Sequence, residues 1–582
     1  MSTNPAKLVK LWKAKSELTV GEITKYRIYF DPRKIRNSTA WPPNNLVLKV
    51  TNTTPLIFRA AILMGPYNIS ATCFETNSCI TIPKQQTELI VPQVKAGIKC
   101  GETWKISLSI PKEREEWSGD WTIEILSDIV FTSNRVQYEI SLFSIMDEDE
   151  IKISNIKNNT YKDDFTLIEI FSPTITYEYF KPKDVFYLPD LTTINNVNRE
   201  IESIQDTKRS VHLIVLTHGI HGSMLDELYL REVIEEKCKH KLEHKVVVYM
   251  SDVNHSVTED GIEKCGRRLA ESILKYIGWP WISSNSLSSS ASKNITEGPL
   301  ISKISFVGHS LGGLINIFLV GYLNSVTNGI FFKDVEPVHY IAIASPLLGS
   351  TDLAWYIKIG MKWGAIGQTG KDLALIPRSK VEHSASDGMK EQVSLIVDSS
   401  NEEPLLLSLS RPNSSAHIAL KLFKNRTLYA NISNDATVSL RTSSLFFINH
   451  NDEDFIKDQY NATIFDHLKH LLNAINPPET TKEYLIRSFS DKSPILHDKL
   501  YTPNDIPPIT NTENTSNEEE DEDLKNLPIE EQIARLWHKD MTWRKVLVSL
   551  EGEAHNHVIV RRKWINAAGW QVIDHLLNNH EF

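Results

Sequence analysis

The stretch Ile301–Thr327, ISKISFVGHSLGGLINIFLVGYLNSVT, decides how the rest of the chain is read. Ile304 to Val307 is a short apolar run of the kind a strand buried on both faces shows. Gly308-His309-Ser310-Leu311-Gly312-Gly313 follows it. Leu311, Leu314, Ile315, Phe318, Leu319, Tyr322 and Leu323 then recur at helical spacing. Strand, sharp turn and helix with Gly-x-Ser-x-Gly at the corner is the context a nucleophile elbow requires. Sterics explain the residue types. A serine forced into a tight, strained turn leaves no room for side chains two positions to either side, so Gly308 and Gly312 stand there. The turn lifts the hydroxyl out of the sheet, and the helix N-terminus faces the charge that develops on reaction. Leu311 N–H is one expected oxyanion donor. A glycine-rich strand–helix turn without chemistry would read similarly, but the flanking elements favour the elbow.

At 582 residues the chain exceeds one ordinary core, which predicts two domains with linkers. Hydrophobic content of 41% and charged content of 23% are those of a globular chain. A net charge of −10 and a pI near 6.0 exclude the basic stripe of a nucleic-acid binder. The five cysteines (Cys73, Cys79, Cys100, Cys238, Cys265) are sparse and lack metal spacing, so reduced core thiols are expected and no metal. The N-terminus, MSTNPAKLVKLWKAKSEL, has no apolar signal-peptide core, and no apolar run reaches bilayer-spanning length. Asn-x-Ser/Thr sequons at Asn37, Asn52, Asn68, Asn294 and Asn461 therefore reflect composition rather than glycosylation. The expectation is a cytoplasmic protein, with peripheral contact to membranes or lipid droplets left open.

Residues 1–146 read as an all-β, sandwich-like domain. Short alternating segments recur at Tyr26–Phe30, Leu46–Val50, Trp104–Ile110, Trp121–Leu126 and Val136–Phe143, separated by Pro, Gly and Asn. Nothing in them forms a catalytic constellation, so a structural or docking role is favoured. Residues 147–205 read as a polar linker plus first strands of the next domain, because Phe165 to Tyr187 looks strand-like. From 206 to 582 strands and helices alternate, the signature of a mostly parallel sheet with helices on both faces, so the fold class is α/β. Strands are expected at Val211–Leu216, Val246–Met250, the elbow strand, Val338–Ala344, Arg426–Asn431 and Trp543–Leu550. Helices are expected at Asp226–Cys238, Glu259–Ile277 and Ile529–His538, and in the closing segment with Trp570, Ile573, Leu576 and Leu577. Insertions fall at 281–300 and 350–401. In the second, Leu353 to Met361 (LAWYIKIGM) reads equally as a lid over an apolar cleft or as an ordinary packed helix. Residues 509–526, including NTENTSNEEEDED, have the composition of a disordered acidic segment.

A serine hydroxyl is a poor nucleophile near neutrality and needs a base that an acid holds in place. In the elbow's fold the partners follow in the order Ser, Asp or Glu, His, each just past a strand end. Asp435 comes directly after the strand at Arg426–Asn431, and His555 after the last strand in Glu551-Gly552-Glu553-Ala554-His555. Asp352, beyond the fourth strand, is the alternative acid, and His557 the alternative base. His309 points into structure from within the elbow. His218 and His221 flank the first strand's turn, where a backbone donor is needed; Ile220 N–H is the preferred second oxyanion donor and His221 N–H the alternative.

These pieces carry a specific resemblance. His218-Gly219-Ile220-His221-Gly222, Gly308-His309-Ser310-Leu311-Gly312-Gly313 and Ala344-Ser345-Pro346-Leu347-Leu348-Gly349 resemble the putative serine esterase family of α/β-hydrolases. So do Asn434-Asp435 with Leu440-Arg441-Thr442-Ser443, and Ala554-His555-Asn556 with Val560-Arg561-Arg562. With the β-rich N-terminal region the whole is similar to the fungal Rog-type lipases. The resemblance implies a lipid esterase acting on monoacylglycerols or lysophospholipids, with Ser310 as nucleophile, Asp435 as acid and His555 as base, and no cofactor. The chain departs from the pattern after the acid, reading Ala436-Thr437-Val438-Ser439 where such proteins often have Gly, an aliphatic, Val and Pro. Two rival readings stay open: a catalytically silent adaptor using its β domain, and a thioesterase or acyltransferase with the same triad.

Overall fold

The structure is a computed structural model that describes residues 8–19, 21–31, 45–60, 67–76, 92–109, 119–128, 135–145, 167–169, 175–191, 210–239, 244–279, 301–350, 367–377, 403–435, 437–447, 480–488, 492–509 and 523–582. Two compact units divide the chain, Met1–Tyr187 with Asn473–Leu485, and Leu188–Leu472 with Ile486–Phe582.

The first unit is all-β. Its strands are β1 Leu8–Leu18, β2 Ile23–Phe30, β3 Asn45–Asn52, β4 Ile69–Glu75, β5 Gln93–Ile98, β6 Thr103–Ser109, β7 Gly119–Ser127, β8 Val136–Ile145, β9 Leu167–Glu169 and β10 Ile175–Phe180. They form two five-stranded sheets, β6-β3-β8-β1-β9 and β10-β2-β7-β4-β5. Alternation drives the burial: along β7, Trp121, Ile123 and Ile125 face inward while the residues between them are half-buried. Leu46, Leu48, Val50, Ile140 and Leu142 of one sheet join Tyr26, Ile28, Phe30, Ile69 and Ile123 of the other in a common core. One expectation is corrected here. Phe165 to Tyr187 does not open the second unit: β9 pairs in parallel with β1 and β10 antiparallel with β2. Each covers a sheet edge that would otherwise leave backbone groups unpaired. The first unit therefore runs to Tyr187 and not to 146, and the second begins at Leu188 rather than near 206.

The second unit is built on β11 Ser210–Thr217, β12 His244–Tyr249, β13 Lys303–His309, β14 Glu336–Ile343, β15 Asn425–Asn431, β16 Ile495–Tyr501 and β17 Trp543–Val548. They lie in the order β12-β11-β13-β14-β15-β17-β16, all parallel except β16, which runs antiparallel to β17. The helices used below are α1 Leu228–Cys238, α2 Ile262–Tyr276, α3 Leu311–Val326, α4 Ser415–Lys421 and α5 Trp570–Asn579. The elbow helix α3 is buried from Leu311 through Leu323. It packs on α2 and α4. Both contacts are close enough to require glycine: a Cβ on Gly266 would lie 2.7 Å from Phe318, and one on Gly321 2.8 Å from Ala416 backbone. Neighbouring residues on β14 point to opposite faces. Tyr340 donates its hydroxyl to Gly313 O of α3, whereas the His339 ring meets that of His580 just beyond α5, so helices cover both faces.

Several expectations fall outside the described residues: Asp352, the segment Leu353 to Met361, the insertion 281–300, and most of 509–526. Within 350–401, the helix Gly367–Leu373 is described. Its Thr369 and Asp372 hold the loop before α2, through Gly261 N to Thr369 Oγ1 at 2.9 Å and Ile262 N to Asp372 Oδ2 at 3.1 Å.

Candidate active site

Ser310 sits between β13 and α3 with φ 54° and ψ −126°, a left-handed conformation that L-residues avoid. Its N–H donates to Ile343 O on β14 at 2.9 Å, and its own carbonyl accepts from Gly313 N at 3.2 Å. The glycines are sterically required. A Cβ on Gly308 would lie 2.5 Å from Gly312 C, and one on Gly312 only 2.0 Å from Thr217 O at the end of β11. That crowding seats the elbow between two strand ends.

The turn after β11 passes against the serine, since a Cβ on Gly219 would lie 2.7 Å from Ser310 Cβ. The two expected oxyanion donors flank the serine: Leu311 follows it in the chain, and Ile220 follows Gly219. Neither Ile220 nor Leu311 gives its N–H to an acceptor among the described residues. The alternative, His221 N–H, is already donated to Thr258 Oγ1 at 2.9 Å, which removes it. His221 Nε2 is paired with Glu259 Oε1 at 2.6 Å, so its ring braces this turn from outside.

Asp435 and His555 meet where the loops after β15 and β17 cross. Ala554 N donates to Asn434 O at 3.1 Å and Asn434 Nδ2 to Leu550 O at 2.8 Å, tying the two loops together. His555 Nδ1 lies 3.0 Å from Asp435 Oδ2. Asp435 also accepts from Asn431 Nδ2 at 2.8 Å, Thr437 N at 3.0 Å and Val438 N at 2.9 Å. Burial alone would raise its pKa, but the imidazole of His555 and these donors more than offset that and hold the carboxyl below its ordinary range. An ionised Asp435 fixes the His555 tautomer with hydrogen on Nδ1 and leaves Nε2 free to accept.

His309 joins this pair to the elbow. Its Nε2 donates to His555 O at 3.0 Å, and the two rings are 4.7 Å apart. Burial, with His555 beside it, pushes the His309 pKa down to about 3, so the ring stays neutral and acts as a donor rather than a base. Ser310 itself is 5% exposed, and its Oγ makes no hydrogen bond among the described residues. Elbow, imidazole and carboxylate thus follow the ends of β13, β17 and β15, and among the described residues no hydrogen bond joins Ser310 Oγ to His555. His557, the alternative base, does not meet Asp435. Its Nδ1 is buried without a partner among the described residues, and burial lowers its pKa to about 4. His218 is buried with Nδ1 3.0 Å from Gly219 O and shapes the turn.

Sequence reasoning missed Asp226. It lies on the turn before α1 and receives both Arg561 and Arg562 from the loop beyond His555. The paired arginines so soon after the histidine were the available signal, but nothing in the linear order pointed to their partner. Among the described residues no group of His, Cys, Asp or Glu has metal-binding geometry.

Comparison with known proteins places the chain. The family model described as "Putative serine esterase" matches residues 207–445. "Putative lipase ROG1" of Saccharomyces cerevisiae is 31% identical over 100% of this chain and 84% of its own length. "Putative lipase C4A8.10" of Schizosaccharomyces pombe is 25% identical over 93% of this chain and 74% of its own length. The solved Pyrococcus furiosus esterase Pf2001 is 15% identical over 40% of this chain and 66% of that one, with a TM-score of 0.19 that carries no argument. With a strained serine elbow in a parallel sheet and full-length similarity to these yeast relatives, the chain belongs to the putative serine esterase family.

Proposed function

We propose that the protein hydrolyses carboxylic esters of lipids, monoacylglycerols or lysophospholipids, through an acyl-enzyme. Ser310 Oγ attacks the ester carbonyl while its proton passes to His555 Nε2, and the negative charge on the tetrahedral oxygen is met by Ile220 and Leu311 N–H. The imidazolium, steadied by Asp435, then protonates the leaving alkoxide and the acyl group stays on Ser310. Water attacks the acyl-enzyme by the same route in reverse, releasing a fatty acid and the free serine. The observation that carries this reading is the part-buried Asp435–His555 pair at 3.0 Å, joined to the elbow by the bond from His309, the residue before Ser310, to His555 O. We also read the two β sheets of the first unit as a sandwich, on the strength of their common core.

The test is a substrate panel on the full chain, with fluorophosphonate labelling as an independent readout. Labelling with release of fatty acid from monoacylglycerol or lysophospholipid is the expected result. Faster turnover of thioesters, or transfer to an added alcohol in preference to water, would make it a thioesterase or acyltransferase. Absence of labelling would leave a silent adaptor.

Contact with lipid aggregates, in the cytoplasm, belongs to the same proposal. On the tip after β3, Leu56 and Ile57 are 64% and 80% exposed although neighbouring Asn52, Thr54 and Phe58 are held in place. Two adjacent exposed aliphatics on a braced turn suit shallow insertion into acyl chains. Replacing both by Asp is expected to weaken cosedimentation with phosphatidylcholine liposomes about tenfold or more, on the scale of two buried side chains. Hydrolysis of a dissolved short-chain ester should be unchanged.

A further inference from the structure

We infer that Asp226, Arg561 and Arg562 form an ionic clasp that sets the distance between the oxyanion turn and the catalytic imidazole, making Asp226 a positioning residue for the proposed reaction. The inference rests on that reading of the site. Asp226 Oδ1 accepts from Arg561 Nε and from Arg562 Nη1, both at 2.9 Å, and its Oδ2 accepts from Ser223 N at 3.2 Å. The carboxylate is 6% exposed, against 28% and 14% for the two arginines. One oxygen therefore holds the turn that carries Ile220, and the other holds the loop that carries His555. The fit is tight on both sides. A Cβ on Gly222 would lie 2.9 Å from Asp226 Oδ2, and Arg561 N donates to Asn556 O, the residue after His555, at 3.0 Å. Arg562 adds Nη1 to Arg561 O at 3.0 Å and N to Asn566 Oδ1 at 2.8 Å, which stiffen the loop.

The chemistry of the pair fits positioning rather than proton transfer. Burial would raise the Asp226 pKa, but the two guanidiniums outweigh it and keep the carboxyl well below its ordinary range. The group is ionised throughout any working pH. Its neighbour Glu227 is buried with neither oxygen hydrogen-bonded among the described residues, and burial together with Asp226 raises its pKa. Burial thus disfavours a second charge at Glu227 beside Asp226. Charge-assisted bonds of this kind, screened from water, are the strong class and direct their partners. Oxyanion donors are effective only within tenths of an ångström of the developing charge, so a slack clasp should lower the rate of the chemical step before it lowers binding.

Asp226→Asn is the test, because it keeps shape and one acceptor while removing the charge. In the full-length protein, the rate constant for fluorophosphonate labelling and kcat on a dissolved ester are expected to fall together by about ten- to a hundredfold, with KM within threefold; loss of a whole donor sets the upper scale. The fraction of protein labelled at saturation should stay that of the wild type. A merely structural contact gives the opposite pattern: fewer labelled sites, each reacting at the wild-type rate, and that outcome overturns the clasp. Arg562→Lys, which keeps the charge but loses the fork, is the second variant should Asp226→Asn fold poorly, with the same pattern expected at smaller amplitude. If the wild-type protein takes no label, the reading of the site fails and the clasp falls with it.

Discussion

Replacing Ser310 by alanine is expected to remove ester cleavage and fluorophosphonate labelling altogether, a loss on the order of 10⁶ in kcat if the triad acts as a unit. Stability should barely change, and the structure says why. Ser310 Oγ makes no hydrogen bond among the described residues, so its removal leaves no orphaned partner. The strain at φ 54° falls on Ser and Ala alike, because both carry a Cβ. Ser310→Gly should therefore be equally inactive yet more stable, by about 1 kcal/mol, since glycine adopts this conformation without cost. Thermal unfolding and labelling of the three proteins, run side by side, separate the chemistry from the fold. Undiminished labelling of the alanine variant removes Ser310 from the mechanism. A large loss of stability in that variant would mean that the hydroxyl serves the fold instead.

How much of this was legible beforehand depended on burial. The strands of the parallel sheet announced themselves because both faces are covered: Val211–Leu216 was expected and β11 spans Ser210–Thr217, and the helix Ile529–His538 has the bounds its apolar spacing predicts. The edge strand β16, Ile495–Tyr501, was not foreseen. Its sequence ILHDKLY is half polar because much of the strand is exposed, so neither alternation nor an apolar run stands out. The same reason explains the misplaced boundary at 146, since β10 is also an exposed edge strand and its partner β2 lies far away in sequence. In the site, Ser310, Asp435 and His555 were expected because each must follow a strand end in a set order, and the structure pairs the last two at 3.0 Å. Ile220 was preferred over His221 from the sequence, and the structure adds that His221 N–H is donated to Thr258. Asp226 was unreadable in principle. An ion pair across a separation of more than three hundred positions leaves no local pattern.

The carboxylate gives the second large effect. Asp435→Asn is expected to lower kcat by about 10⁴, the scale seen when a triad acid loses its charge. The cause is tautomeric. Asp435 Oδ1 accepts from Thr437 N and Val438 N, and Oδ2 from Asn431 Nδ2 and His555 Nδ1. An asparagine has one acceptor, and the two backbone N–H groups claim it. Its amide NH₂ then faces His555 Nδ1, and the ring can meet that donor only by moving its proton to Nε2. In that form it cannot take the proton of Ser310. The same variant makes a pH prediction. Because the folded Asp435 pKa is depressed, its ionisation contributes stability above the unfolded value, about 3.9, and loses that contribution as pH falls through the folded pKa. Asparagine has no such limb. The stability gap between wild type and variant, read by urea unfolding, should therefore be widest near neutrality and narrow as the solution is taken below about pH 4. A gap that stays constant with pH would mean that Asp435 is not the ionised partner. Should Asp435→Asn also keep full activity while Asp352→Asn loses it, the acid lies beyond the fourth strand and the pairing at 3.0 Å serves only to hold the two loops together.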